Sequence, residues 1–314
     1  MITNRKVEDL HPNQIRFFNI EDVAFRTEDE KVKMAKRVSP FFDAFEATKK
    51  SRMIELRLII DKLDEGPITI TTFNEGFIQL FENWAASCDR SKISVRDSTI
   101  IFPMDKPSNE RALSLGFHTW YREGAYGPIP QTAASNYGDR TFILCMFAKN
   151  AIVEAMLPFD RDILFQDIDM VWNKDPRAFL ERQAREKQID FQFMYDGYNP
   201  RFQPLYYNSG FFYIKANDFT RAVWKVVFNH YDKVIYYRSQ QAPINIIMNT
   251  YRERGLVTVR MREDLFVNGH ATPIEAHKLA PELAQAAYVV HCSWTQNLEK
   301  KIDKLKLYNL WFLG

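Results

Sequence analysis

The chain has only three cysteines, Cys88, Cys145 and Cys292, in 314 residues. They are too few and too scattered for a disulfide framework, and no Cys-x-x-Cys pair points to structural zinc. Charge of one sign is equally scarce: 42 Lys and Arg against 40 Asp and Glu leave a formal net charge of +2. No broad field is therefore available to gather nucleic acid or an anionic membrane. No apolar run reaches the ~20 residues that a bilayer-spanning helix requires. The opening MITNRKVEDLHPNQ has no hydrophobic core of a signal peptide, and no Asn-x-Ser/Thr acceptor occurs. These absences lead to the expectation of a cytoplasmic protein with no transmembrane segment and no nucleic-acid partner. Internal repeats and low-complexity linkers are also missing. What remains is a globular composition, 46% hydrophobic, 14% aromatic and 26% charged, too apolar for a disordered chain and long enough for one large α/β domain or two small ones.

Residues 1–66 are polar and helix-like, with Val32, Met34, Phe42, Phe45, Ile54, Leu56 and Ile59 set among many Lys, Arg and Glu. They are read as a helical N-terminal extension, suited to packing on the main domain, to pairing with another subunit in an oligomer, or to holding an acceptor. From Pro67 onward, short β-branched or aromatic runs alternate with helical ones, the pattern of βα units around a mostly parallel sheet. Strands are expected at Ile68–Thr72, Thr99–Phe102, Ile163–Gln166, Phe191–Tyr195, Phe211–Ile214, Val257–Arg260 and Tyr288–His291. Helices are expected at Glu75–Ser87, Ser108–Leu115, Thr141–Met156, Asp218–His230, Ala242–Arg252 and Leu298–Leu307. The loop Glu123–Asp139, rich in Gly, Pro, Ser and Asn, reads as a surface excursion that folds over a substrate.

The most informative stretch is Asp160-Arg161-Asp162-Ile163-Leu164-Phe165-Gln166-Asp167-Ile168-Asp169-Met170-Val171-Trp172. A hydrophobic strand runs into two carboxylates at i and i+2, which point the same way if the backbone stays extended. The carboxyl ends of strands are where open α/β sheets bind ligands. Two hard oxygen donors there suit Mg²⁺ or Mn²⁺ that is also held by substrate phosphates. Asp-x-Asp also serves as a turn or cap pair. It is likewise the nucleophile pattern of haloacid-dehalogenase-like phosphatases, although here it comes late in the chain and no later Asp-Asp pair follows.

Several separated motifs agree in order with one family. Ile68-Thr69-Ile70-Thr71-Thr72-Phe73-Asn74, Asn83-Trp84, Phe102-Pro103-Met104-Asp105, Lys149, the Asp167–Trp172 segment followed by Asp175-Pro176, Tyr207-Asn208-Ser209-Gly210-Phe211, and His291 with Trp294, Lys301 and Leu310-Trp311 together resemble the nucleotide-diphospho-sugar transferases that include plant and protist α-xylosyl-, arabinosyl- and α-galactosyltransferases. The resemblance covers about residues 67–312. It implies a GT-A-like, Rossmann-type α/β fold over 67–314 and a retaining, metal-dependent glycosyltransferase. The substrates it implies are a nucleoside-diphosphate sugar donor, UDP-linked above all, and a glycan or glycoprotein hydroxyl acceptor.

Site residues follow from the same resemblance. Thr71, Thr72, Phe73, Asn74, Asp105, Lys149, Asp167, Ile168, Asn208, Ser209 and Lys301 would contact the nucleotide sugar. Asp167, Asp169 and His291 would hold Mn²⁺ or Mg²⁺, and Asp196, Gln241 and Lys301 would serve the chemistry. Several of these have plain structural readings as well: Trp84 as core, Asp105 and Asp196 as turn residues, Lys149 as a snorkelling lysine, Asn208-Ser209-Gly210 as a turn before a strand and His291 as a core histidine. The chain also departs from the pattern. Gln240 stands where an Asp is usual, so no role that needs a carboxylate carries over to it, and Asn297 replaces a glycine after the C-terminal histidine. A non-catalytic nucleotide-sugar-binding or scaffold protein on the same fold is the reading from another class.

Overall fold

The computed structural model describes Ile15, residues 28–269 and residues 281–314; the remainder of the N-terminal extension lies outside the described residues. Two helices come first, α1 (Glu28–Ala47) and α2 (Lys49–Ile60). The main body follows as β1 (Ile68–Thr71), α3 (Ile78–Arg90), β2 (Thr99–Ile101), α4 (Lys106–Ser114), β3 (His118–Thr119), α5 (Arg140–Met156), β4 (Ile163–Gln166), β5 (Met170–Trp172) and α6 (Arg177–Glu186). It continues through β6 (Phe191–Tyr195), β7 (Tyr207–Ile214), α7 (Asp218–Asn229), α8 (Tyr231–Tyr237), α9 (Gln241–Arg252), β8 (Thr258–Arg260), β9 (Phe266–Val267), α10 (Pro281–Ala286), β10 (Val289–His291) and α11 (Leu298–Leu307).

The main sheet has seven strands in the order β3-β2-β1-β4-β7-β6-β8. Only β7 runs against its neighbours; every other pairing is parallel. This is the mostly parallel α/β class with a helical N-terminal part that the sequence implied. From β1 the chain steps outward to β2 and β3, then returns to lay β4 on the other side of β1. The topological switch point thus lies between β1 and β4, where the following loops part and leave a crevice. A smaller sheet, β5-β10-β9, lies beyond it, and its antiparallel β5–β10 ladder pairs His291 with Met170.

Strand alternation divides the core. Ile68, Ile70, Ile163, Phe165 and Phe212 face α5, α7 and α9, whereas Leu164, Phe211 and Tyr213 face α3, α6 and the small sheet. α1 and α2 are part of this core: Phe41, Phe45, Leu56 and Ile60 are buried with Phe147 of α5 and Tyr231 of α8. Arg52 is buried there as well, its guanidinium 3.5 Å above the Phe45 ring and donating to the Phe45 carbonyl.

The sequence reading needs correction on membrane length. Residues 140–159 are long and apolar enough to cross a bilayer, but 72% of that window is buried inside the protein. α5 is apolar because it lies under the sheet. Other differences are local. β7 begins at Tyr207, so Asn208-Ser209-Gly210 is strand and not turn, since the Tyr207 N–H is taken by the Asn245 side chain and Met194 pairs with Asn208. β3, β5 and β9, with two or three residues each, are too short to show periodicity. Asp175-Pro176 leads into α6.

Candidate active site

The crevice at the switch point collects the chemistry-bearing residues. After β4 the chain does not stay extended: Asp167, Ile168 and Asp169 form a bend. The two carboxylates converge because the bend is tied at both ends. The Asp167 N–H donates to the Gly210 carbonyl of β7 at 2.6 Å, and the Asp169 carbonyl accepts from the Cys292 N–H at 2.8 Å. That second bond sits beside the β5–β10 ladder, which delivers His291. Ligand atoms of Asp167, Asp169 and His291 lie within 4.8 Å of one another, near the ~4 Å span of ligand pairs around one ion with bonds of about 2.1 Å.

Gly210 makes this convergence possible. A Cβ there would lie 2.5 Å from His291 Cε1 and 2.7 Å from Asp167 Oδ2, so any side chain would push two of the three groups apart. Two hard carboxylates and one imidazole suit Mn²⁺ or Mg²⁺, and the imidazole favours Mn²⁺. The residues present fit the ion that the sequence implied.

Two lysines offset the carboxylate charge. Lys149 of α5 meets Asp167 at 2.6 Å, and Lys301 of α11 meets Asp169 at 2.5 Å. His291 Nε2 lies 3.3 Å from the other Asp169 oxygen. Burial works to raise the Asp169 carboxyl, but Lys301 and His291 outweigh it and hold that carboxyl well below the usual carboxylate range. Burial also works to discharge Lys301, and Asp169 reverses this, raising its pKa. Asp169 is therefore held as an anion in the fold, with Lys301 on one oxygen and His291 on the other.

A second polar group adjoins the first through Asn208 and Gly210. Asp196, at the end of β6, accepts from Asn208 Nδ2 at 2.7 Å, Gln241 Nε2 at 2.7 Å and Trp294 Nε1 at 3.0 Å. Gln241 Nε2 also donates to the Tyr206 hydroxyl, and Gln241 Oε1 accepts from the Ser209 N–H. Asp196, Gln241, Asn208 and Ser209 are thus brought together, from three separate elements, beside the metal-type trio. Gln240 is buried and turned to the Ser209 carbonyl.

Thr72, Phe73, Asn74, Lys149, Asp167, Ile168, Asp169 and Lys301 line one cleft, with Phe77, Tyr137, Phe142, Cys145 and Thr295–Asn297 completing its walls. The loop 123–139 supplies one wall. Asn74 Nδ2 donates to the carbonyls of Pro130 and Thr132, and Ala133 lies so close to Gly76 that a Cβ on Gly76 would be 2.3 Å from the Ala133 nitrogen. Thr71 is fully buried and outside the cleft wall, because strand alternation turns it into the sheet. Asp105 is also buried. Its carboxylate is taken up by the Glu75 N–H, the Ser108 N–H and the Ser108 hydroxyl, so it caps α4 and braces the turn after β1.

Sequence reasoning did not assign roles to Gly210, Tyr137, Tyr206 or the 295–297 turn. Gly210 was read with a turn and Asn297 only as a departure from the family pattern, so neither signalled its part here; that Gly210 lies within a strand is seen only in the structure. Asn297 caps α11 through Lys300 N–H, which aims Lys301 one residue later at Asp169.

The sequence model of the nucleotide-diphospho-sugar transferase family matches residues 94–305. No curated relative matches the chain. Solved structures with a similar course of chain include the galactosyltransferase LgtC in complex with donor and acceptor sugar analogues, at 12% identity, covering 78% of this chain and 96% of that one, with a TM-score of 0.48. A glycosyltransferase involved in glycosylation of the major capsid of PBCV-1 follows at 13% identity, 78% and 99% coverage and a TM-score of 0.46. Mouse xyloside xylosyltransferase 1 stands at 9% identity, 75% and 100% coverage and a TM-score of 0.43.

Proposed function

The chain belongs to the nucleotide-diphospho-sugar transferase family, and from that premise we propose that it moves a sugar from UDP to a hydroxyl acceptor, in a metal-dependent reaction that retains anomeric configuration. The observation that carries this reading is the convergence of Asp167, Asp169 and His291, with both carboxylates lining the cleft at the switch point and Lys149 and Lys301 beside them. Asp167, Asp169 and His291 would hold Mn²⁺ or Mg²⁺, which when bound offsets the charge of a diphosphate.

The protein's own groups account for the rest. Lys149 and Lys301 provide ammonium charges at the point where the departing phosphate gains negative charge. In the proposed front-side course, the bond from the sugar C1 to the phosphate oxygen breaks, a bond from C1 to the acceptor oxygen forms on the same face, and the acceptor proton passes to the departing phosphate oxygen. No side chain is then required as a nucleophile. Asp196 already accepts three hydrogen bonds, so its part is to orient Asn208 and Gln241 against the donor sugar and not to collect a proton. The apolar walls of Phe73, Phe77 and Phe142 exclude water, which favours transfer over hydrolysis.

We also take residues 67–314 as the catalytic unit and 1–66 as an N-terminal extension whose described helices share its core, and place the reaction in the cytoplasm, in keeping with three buried thiols that form no disulfide. Release of UDP from a panel of UDP-sugars, measured with Mn²⁺ and with EDTA, tests the proposal. Metal-dependent release with at least one sugar is expected. Binding of UDP with no release from any sugar would make the chain a nucleotide-sugar-binding protein instead.

A further inference from the structure

Most arginines of this protein are engaged, and three that are not meet at one place. Elsewhere Arg96, Arg111, Arg122, Arg177, Arg221 and Arg262 each contact a carboxylate, and others lie over aromatic rings. Arg37 of α1, Arg140 at the start of α5 and Arg238 just after α8 instead line one cavity of about 410 Å³, together with Met34, Ile143 and Ile235. That volume is within the range of small-molecule sites. Among the described residues, none of the three makes an ion pair, a side-chain hydrogen bond or a ring contact.

The chain does little to neutralise them. Asp139 lines the same cavity, but its carboxylate is taken up. One oxygen accepts from the Phe142 N–H at 2.8 Å and caps α5, and the other accepts from the N–H groups of Ser135 and Asn136 at 2.8 and 2.9 Å. No acidic residue stands three or four places from Arg37 on α1 or from Arg140 on α5, so neither has a helical neighbour to pair with. Arg238 has a left-handed backbone, at φ 53°, a costly conformation for an arginine. Three guanidinium groups lining one space repel one another, and a bound anion would reverse that repulsion.

Guanidinium groups that arrive from three elements suit a tetrahedral anion with several terminal oxygens and about two charges. A carboxylate offers two oxygens and one charge, enough for a single fork. We propose that this cavity, separate from the donor cleft, binds a small phosphate anion, either inorganic pyrophosphate or the phosphate end of an organic monoester. Binding there also bears on the cleft. Tyr137 lines the cleft, and its hydroxyl donates to Ser239 Oγ at 2.8 Å. Ser239 Oγ also accepts from the N–H of Gln241, whose side chain holds Asp196. The stretches 137–140 and 238–241 are thus joined, each with an arginine at the cavity and a polar group toward the cleft. An anion held by Arg140 and Arg238 ties the end of the loop 123–139 to the start of α9 and so fixes a wall of the cleft.

Calorimetry on the full chain in EDTA, with pyrophosphate, glycerol 3-phosphate and tricarballylate as titrants, tests it. Saturable binding of at least one phosphate is expected, the tighter of the two showing whether the source is inorganic or organic. Tricarballylate, a tricarboxylate, should bind more weakly. Arg140→Gln and Arg238→Gln should each weaken the phosphate about tenfold, the loss of one charge-assisted contact. Arg201→Gln, which removes an equal charge outside the cavity, should leave the affinity unchanged. All three side chains are exposed, so the variants should melt with the wild type. In a timed subtilisin digest, the phosphate at about ten times its Kd should slow nicking within 123–139 about tenfold, and should not do so in the Arg140→Gln, Arg238→Gln double variant at the same concentration. The proposal is overturned if neither phosphate binds at about 1 mM, if the double variant binds as tightly as wild type, or if tricarballylate binds as tightly as the phosphate. Binding that leaves the nicking rate unchanged would also overturn it. None of these readouts involves sugar transfer, so their failure is distinct from failure of the proposed function.

Discussion

Replacing Asp169 with alanine leaves Lys301 and His291 facing each other without the carboxylate that lies 2.5 Å from one and 3.3 Å from the other. All three side chains are largely buried, so the lost partner is not replaced by water. Removing one member of a buried charged set costs about 3–5 kcal/mol, set against total stabilities of about 5–15 kcal/mol. In EDTA at pH 7, D169A should therefore lower the urea midpoint by on the order of 1 M. D169N keeps the shape and one acceptor oxygen, and should lose about 1–3 kcal/mol. The pH dependence has a definite sign. The Asp169 carboxyl is held below its ordinary value, so its contribution is complete above the unfolded value of about 3.9 and is lost as pH falls through the depressed folded value. D169N should lack that acid-side loss. Urea titrations of the three proteins at pH 7 and over the acid range measure both effects. D169A as stable as wild type at pH 7 in EDTA would refute the reasoning, because Lys301 would then have no need of its partner.

Gly210→Ala should weaken Mn²⁺ binding by about 10–100-fold, as displaced supporting groups do, with an overpacking cost of about 1–3 kcal/mol; calorimetry and thermal melts would read these separately. Asn74→Ala removes both bonds to the 130–132 segment, so proteolytic nicking within 123–139 should quicken, which a timed digest followed by mass spectrometry would show. Deleting residues 1–66 removes Phe41, Phe45, Leu56 and Ile60 from the shared core; at about 1.5–3 kcal/mol each, the loss of about 6–12 kcal/mol rivals the whole stability of a domain. The truncated chain should fail to give a cooperative melt.

The site was legible where the chemistry is local. An apolar strand ending in Asp167-Ile168-Asp169 is visible because burial and charge change abruptly at one point, and α11 was readable to its ends because Asn297 caps it. The convergence of the carboxylates was expected from an extended backbone, yet it comes from a bend tied to Gly210 and Cys292. That tie is tertiary and has no trace in the spacing. Asn208-Ser209-Gly210 carries turn residues, but pairing with β6 and the Asn245 amide override them. Asp105 is a similar case: an aspartate before Lys106-Pro107 can face a ligand or cap a helix, and only the position of Ser108 and Glu75 decides. The apolarity of α5 reports burial, which a sequence cannot separate from insertion in a membrane. Trp294 was visible as a residue, but its exposure was not, since nothing local distinguishes it from the buried Trp172.

The central claim is that Asp167, Asp169 and His291 share one metal ion in a nucleotide cleft. An anomalous difference map at the manganese edge, from crystals soaked with Mn²⁺ and UDP, tests it most directly. The account predicts a single strong peak in contact with both carboxylates and the His291 ring, beside the diphosphate. UDP bound in the cleft with no manganese peak at these three residues, or with His291 turned away from the ion, would contradict it.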